Sequence, residues 1–255
     1  MTIGSLPTEL SIIGPACFAN CENLSLSYLP MSIRQYGQYA FQNCTHLTNV
    51  SIGDDPLVQR IEQRAFFGCV NLQFQEREAP FRSLTTIGSY AFAQCANLRI
   101  LENENNTAPN LTTIERNAFQ QCSSLRLAIF PTALTTIGAY AFSGVTAMGA
   151  GATTLPVTLT TIESNAFQNV SFLNNNLSGG VDINVNDVAH NINASAFSGA
   201  KISQFTLMIN GDAALDPSTL RSEDSWWKDA PWGATKQDGT ETATLWNKGD
   251  KGGSF

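Results

Sequence analysis

The sequence predicts a solenoid of the α/β class: a right-handed superhelix with parallel strands on one face and short helical or irregular turns on the other. Two observations predict it. The first is self-similarity, which decides architecture before local propensity does. Segments LTTIGSYAFAQCANL (84–98), LTTIERNAFQQCSSL (111–125) and LTTIGAYAFSGVTAM (134–148) follow one template, L-x-x-I-x-x-x-A-F-x-x-C-x-x-L. The second is composition. Hydrophobic residues make up 43% of the 255-residue chain and charged residues 14%, against roughly 25% charged in an average globular chain. That supplies a long core and leaves Asn, Gln, Ser and Thr to cover the surface.

The Phe of the template recurs as Phe18, Phe41, Phe66, Phe92, Phe119, Phe142, Phe167 and Phe197, at intervals of 23 to 30 residues. Five positions earlier an Ile stands in each copy except one, where Tyr36 replaces it. Eight positions earlier come Leu10, Ile33, Val58, Leu84, Leu111, Leu134 and Leu159, with Ala189 in a degenerate last copy. Six positions after the Phe, Leu or Met follows from Leu24 to Leu173. Ala precedes the Phe in every copy but the first, where Cys17 takes its place. One such turn cannot bury its own apolar side chains. Stacking turns does so, and stability is then a sum over neighbours. Residues 1–209 therefore read as an array of about eight units.

These residues resemble the BspA-type (Treponema pallidum-type) leucine-rich repeats of bacterial and protist surface proteins. Units of that family read C-x-x-L-x-x-I-x-I-P and then V-x-x-I-G-x-x-A-F. The matching stretches here include CTHLTNVSIG (44–53), and CSSLRLAIFP followed by LTTIGAYAF (122–142). An apolar-Pro pair after the strand survives as Leu6-Pro7, Leu29-Pro30 and Phe130-Pro131. Elsewhere insertions replace it, at 53–57, 75–81, 102–110 and 174–188. Insertions of this kind are where binding specificity often lies.

Five of the six cysteines fall three residues after the Phe: Cys21, Cys44, Cys69, Cys95 and Cys122. Later copies put Val145, Val170 and Ala200 there. A position that accepts Cys, Val or Ala is a small buried apolar site, so the expectation is a column of reduced core thiols, with Cys17 also in the core. The even count also admits a disulfide framework, which suits small domains without a core better than this chain.

The two ends differ. The start enters the template midway, with Ile3, Leu6 and Pro7 at strand positions. That points to a fragment whose signal peptide and earlier sequence lie upstream. At the other end all four tryptophans, Trp226, Trp227, Trp232 and Trp246, fall within residues 226–246. Residues 210–247 read as a Trp-rich cap and 248–255 as a polar linker tail. The resemblance supports the cap, since segments like KDAPWGA (228–234) close such arrays. An aromatic sugar-binding platform is the rival reading.

Net charge is −7 and pI about 4.8, which disfavours phosphate backbones and anionic lipid. No apolar run is long enough for a membrane helix. Chemistry is sparse. His46 and His190, the two histidines, lie in no motif. No nucleophile elbow, phosphate loop or zinc-protease motif occurs, so no enzyme and no cofactor is expected. Glu102 with Glu104, and Asp182 with Asp187, could offer oxygen ligands to calcium, but neither has the EF-hand spacing. Sequons at Asn43, Asn110, Asn169 and Asn193 arise readily in so Asn- and Thr-rich a chain.

The expectation is a non-catalytic, monomeric binding module. Outward residues of the strand segments are its candidate contacts: Tyr28, Ser51, Gln75, Glu102 and Arg126. The resemblance implies a host extracellular-matrix or surface protein as partner, and an extracellular or cell-surface location. A spacer holding another domain off the cell, and a glycan-binding domain using the tryptophans, are the alternatives.

Overall fold

The Ala-Phe segment is a staircase of tight turns, and its backbone dictates the architecture. In seven of the eight units two residues adopt a left-handed conformation, at the second position before the Phe and the second after it; in the Phe197 unit only the later one does. Tyr39 and Asn43 flank Phe41 in this way, Tyr90 and Gln94 flank Phe92, and Asn117 and Gln121 flank Phe119; φ lies between 52 and 63° at every such non-glycine residue. Gly68, Gly144 and Gly199 take the later position in three other units. A left-handed residue every fourth position forbids an α-helix, and among the described residues no helix is present. The expected turns are therefore irregular rather than helical.

In this computed structural model the described residues are 6–26, 28–48, 57–74, 82–99, 108–125, 130–146, 148, 153–156, 158–171, 180–185, 191–202, 204–209, 212–213, 235–236 and 246–247.

The left-handed kinks sort the amides into two sets. Alternate N–H groups close local turns: Ala40 donates to the Gly37 carbonyl, Gln42 to Tyr39 and Cys44 to Phe41, each at 3.1 Å. The others reach the next unit: Tyr39 donates to Gln63 at 3.0 Å, Phe41 to Ala65 at 2.7 Å and Asn43 to Phe67 at 2.7 Å. With φ positive at its third residue, the Gly37–Ala40 turn has the signature of type II. Each unit is thus hydrogen-bonded to its neighbour along the whole corner.

A second ladder runs beside the first. Two-residue strands β1 (Ile12–Ile13), β2 (Gln35–Tyr36), β3 (Arg60–Ile61), β4 (Thr86–Ile87), β5 (Thr113–Ile114), β6 (Thr136–Ile137), β8 (Thr161–Ile162) and β10 (Asn191–Ile192) form one parallel eight-stranded sheet. Its register places template Ile on template Ile, as in Ile61↔Ile87↔Ile114↔Ile137↔Ile162. The sheet therefore forms at the Ile that precedes the Ala-Phe corner. On the side where the sequence places the strands, Tyr28, Phe74 and Ser171 make isolated bridges. Among the described residues, longer pairing there is seen in the later units. β7 (Thr153–Leu155), β9 (Gly180–Val185) and β12 (Gln204–Ile209) align in parallel, with β13 (Asp212–Ala213) antiparallel to β12. β15 (Trp246–Asn247) pairs with β12, and β14 (Thr235–Lys236) pairs with β11 (Lys201–Ile202).

The core follows from stacking. The eight template Phe rings form one uninterrupted pile, with neighbouring centroids 4.9 to 5.6 Å apart and planes within 13° of parallel. Each buried ring gains area burial plus about 0.5–1.5 kcal/mol per aromatic pair. The Ala before the Phe is buried from Ala40 onward, because the next unit's backbone lies against it. Phe74 and Phe130 close the pile from the side with edge-on contacts. Leu155, 1% exposed, precedes Pro156 in a fourth apolar-Pro pair. There the Leu159 N–H bonds Pro156, as Leu10 bonds Pro7 and Ile33 bonds Pro30. The pair lies outside the repeat template.

The cysteine column is as expected in four units. Cys44, Cys69, Cys95 and Cys122 are buried and free, and each thiol donates to the Phe carbonyl of the preceding unit at 3.0–3.1 Å. Burial, with the neighbouring Cys21 adding, pushes the Cys44 thiol up to about 12. Burial raises the other three likewise. Cys17 corrects the sequence reading. It is free and exposed, not core, because the first unit has one neighbour among the described residues and Phe18, Leu10 and Cys21 beside it are only partly covered.

Phe92→Ala is expected to cost about 3–5 kcal/mol in urea unfolding, since it opens a gap in the middle of the pile. Gln94→Gly should be tolerated or stabilise by up to about 1 kcal/mol, whereas Gln94→Val should destabilise, because a branched side chain resists positive φ. Equal effects of the two Gln94 variants would refute the left-handed assignment.

Candidate functional site

Many polar side chains of the described residues bond from one unit to the next. The paired threonines of L-T-T-I form a hydroxyl ladder: Thr85 Oγ1 donates to the Gln59 carbonyl, Thr112 to Thr85, Thr135 to Thr112 and Thr160 to Thr135, at 2.9 to 3.3 Å. Four residues before the Phe, Gly and Glu alternate from Gly37 to Glu163. A Cβ at Gly88 would lie 2.6 Å from the Ile61 carbonyl oxygen, and one at Gly138 2.6 Å from the Arg116 nitrogen, so no side chain fits. The unit after each of these glycines carries a Glu that reaches back. Glu115 accepts the Ser89 N–H at 2.9 Å and its hydroxyl at 2.8 Å. Glu163 accepts the Ala139 N–H at 2.9 Å. Arg60 adds ion pairs to Glu115 at 2.6 Å and to Glu62 at 3.3 Å. Burial raises the Glu115 carboxyl, but hydrogen bonds and charge from Arg60 and Ser89 outweigh it and hold the group below its ordinary value.

The candidate catalytic and ligand residues are absorbed in the same way or lie elsewhere. His46 Nδ1 is 2.8 Å from the Glu22 carbonyl oxygen of the preceding unit, where Nδ1–H donates. Asn43 Nδ2 donates to Asn20 Oδ1 at 2.9 Å, and Asn193 Oδ1 accepts from Ser195. Tyr28 is half-buried, and its hydroxyl oxygen accepts the Met31 N–H at 3.3 Å. Ser51, Gln75, Glu102 and Arg126 lie outside the described residues, as do His190, Glu104, Asp187, Trp226, Trp227 and Trp232. Asp182 belongs to β9, with its backbone paired to Thr154 and Thr206.

One group of side chains is not absorbed. It centres on the left-handed position two before the Phe. Arg64 occupies that position in its unit, between Tyr39 and Tyr90 in the neighbouring units. Its guanidinium carbon lies 5.8 Å from the Tyr39 ring centroid, 4.9 Å from Tyr90 and 5.5 Å from Phe67. All four residues are half-buried. Arg64 Nε is buried without a hydrogen-bond partner, and among the described residues the ion pairs belong to Arg60 instead. Two units on, exposed Arg116 lies 6.0 Å from the Tyr140 ring. Cation–π contacts of this kind contribute about 0.5–2 kcal/mol each. The template treats this position as a wildcard. The signal was there, since three of the chain's five tyrosines, Tyr39, Tyr90 and Tyr140, fall on it.

Parallel two-residue strands, stacked Phe corners and a Leu at each fixed offset define a leucine-rich-repeat solenoid. A model of the BspA type leucine rich repeat region matches in six copies, over residues 2–99 and 85–214, and the chain belongs to this family. Similar solved structures are leucine-rich proteins too. A T. pallidum leucine rich repeat protein shares 25% identity over 58% of this chain and 68% of its own, with a TM-score of 0.47. A leucine-rich repeat protein from Bacteroides ovatus shares 15% over 96% and 73%, at 0.38. A leucine rich cell surface protein from Faecalibacterium prausnitzii shares 20% over 80% and 68%, at 0.40. No curated protein matches the chain.

Two measurements check the site chemistry. A group held below its unfolded value stabilises above that value and loses its effect as pH falls through the folded one. Glu115→Gln should therefore cost about 1 kcal/mol at neutral pH and much less near pH ~3, read from urea midpoints; a pH-independent cost would remove the charged role. In thiol titration of the folded chain, Cys17 should react fast and Cys21 more slowly, with all six cysteines reacting only after unfolding. Fast reaction of Cys95 in the folded chain would contradict its burial.

Proposed function

We propose that the chain is a non-catalytic protein-binding module that works at the cell surface or outside the cell, adhering to an extracellular-matrix or surface protein. One observation carries this reading. Arg64 and its rings are presented half-exposed, without an ion pair among the described residues, on a scaffold whose units are joined by backbone and side-chain hydrogen bonds. Arg, Tyr and Phe of this kind are the side chains that dominate binding hot spots. A rigid repeat stack fixes their spacing before a partner arrives, which lowers the ordering cost of association.

Membership of the BspA-type family agrees with a surface location. The strand-side candidates Tyr28, Ser51, Gln75, Glu102 and Arg126 supply a second face in the same proposal. Residues 210–247 serve as the cap of the array, so the tryptophans close the stack rather than hold sugar.

The test is a binding screen of the purified chain against extracellular-matrix proteins and a glycan array, with Trp226→Ala, Trp227→Ala and Trp232→Ala in parallel. Saturable binding to a matrix protein that survives the three substitutions is expected. Sugar binding lost with them would assign the tryptophans to a glycan site. Silence in both screens would leave a spacer as the better reading.

A further inference from the structure

The corner segments carry no acidic residue or lysine of their own, although Glu115 and Glu163, each just before a corner, accept the Ser89 and Ala139 N–H groups of the preceding ones. From three residues before each template Phe to two after it, the corners read PACFAN, QYAFQN, QRAFFG, SYAFAQ, RNAFQQ, AYAFSG, SNAFQN and ASAFSG. None contains Asp, Glu or Lys, although the chain holds 21 acidic residues and a net charge of −7. The cations of this face are Arg64 and Arg116. They stand two units apart, with Tyr90 in the unit between. The Phe rings of those units step by 5.3 and 5.6 Å.

Each cation is seated on aromatic carbon rather than on a carboxylate. Arg64 lies over the rings of Tyr39, Phe67 and Tyr90, and Arg116 over Tyr140. Arg116 Nε also donates to Asn117 Oδ1 at 3.2 Å. A guanidinium stacked on rings still offers its N–H edge to a planar acceptor, and a carboxylate is the acceptor that fits it. The same stacking places the guanidinium over the rings of Tyr39 and Tyr90, on which a sugar ring would otherwise pack.

Building on the binding-module reading, we propose that this corner face docks an acidic, extended segment of a partner protein. Carboxylates three residues apart sit on Arg64 and Arg116, and the residues between them cross Tyr90. The spacing selects the backbone. A polyproline II segment repeats every three residues, roughly 9 Å, which approaches two steps of this stack and presents both carboxylates to one side. A β-strand turns residues three apart to opposite sides. Aromatic-lined faces are also the common dock for polyproline II.

The experiment uses the whole chain and fluorescein-labelled Pro-rich peptides, read by fluorescence anisotropy at low and physiological salt. One peptide carries two Glu at i and i+3; controls carry Gln at those places, or Glu at i and i+2. Heparin is the non-peptide polyanion. The i, i+3 peptide should bind saturably and more weakly at higher salt. Arg64→Gln should lower its affinity at least about tenfold, and Arg116→Gln several-fold. Arg116 is exposed, so that variant keeps the argument testable if Arg64→Gln unfolds. Failure of the peptide to bind, equal binding of the Gln control, or unchanged affinity in both Arg variants would overturn the proposal. Heparin binding that needs both arginines, without peptide binding, would assign the face to an anionic glycan instead. A matrix protein that binds the double variant as well as the natural chain would refute this face while leaving the module reading intact.

Discussion

The rest of the fold depends on the two left-handed residues that bracket seven of the eight template Phe residues. They turn the chain through a corner in which every second N–H points to the next unit. A helix would keep those hydrogen bonds within its own segment and leave stacking to side chains alone. The corner instead makes stacking a backbone interaction. Once the backbones are joined at that spacing, the Phe side chains have one place to go, onto the Phe of the neighbouring unit. The Ala beside each Phe and the thiol three residues on are small because the adjacent unit's backbone is already there.

That closeness also explains the polar economy of the chain. Units joined by backbone leave carbonyls and amides at every edge, and buried ones need partners. The Thr hydroxyls, the thiols and the carboxylates of Glu115 and Glu163 provide them. Gly88 and Gly138 stand where a Cβ would strike the backbone of the unit before, and the amide that follows each of them is the one the next unit's Glu accepts from. Tyr36 shows the cost of departing from the template: it replaces an Ile, is fully enclosed, and its hydroxyl has no hydrogen-bond partner.

The repeat, the core columns and the free thiols were legible because each depends on residue identity at a fixed offset. Six recurring positions are enough to specify a stack, whatever the loops between them do. The location of the continuous sheet was not legible. Template Ile beside Thr reads equally well as strand or turn, and only the register across eight units decides it. The exposed state of Cys17 depends on what lies next to the first unit, which a template cannot express. The Arg64 array escaped for a different reason. Its members vary from unit to unit, and a consensus discards whatever varies.

That variation is the reason to look for binding on the corner. The left-handed positions would be cheapest as Gly or Asn, and the chain does use Asn117 and Asn165 at the earlier one. At Tyr39, Arg64, Tyr90 and Tyr140 it accepts side chains that such a backbone disfavours by on the order of 1 kcal/mol each. Contacts among them recover part of that cost, but Asn would avoid it altogether. The core asks nothing of these positions, since the ring pile and the hydrogen-bond ladder run identically through units with Asn and units with Tyr. What distinguishes the two kinds of unit is the surface they present, and a stack with fixed spacing turns such differences into a pattern that a partner can read.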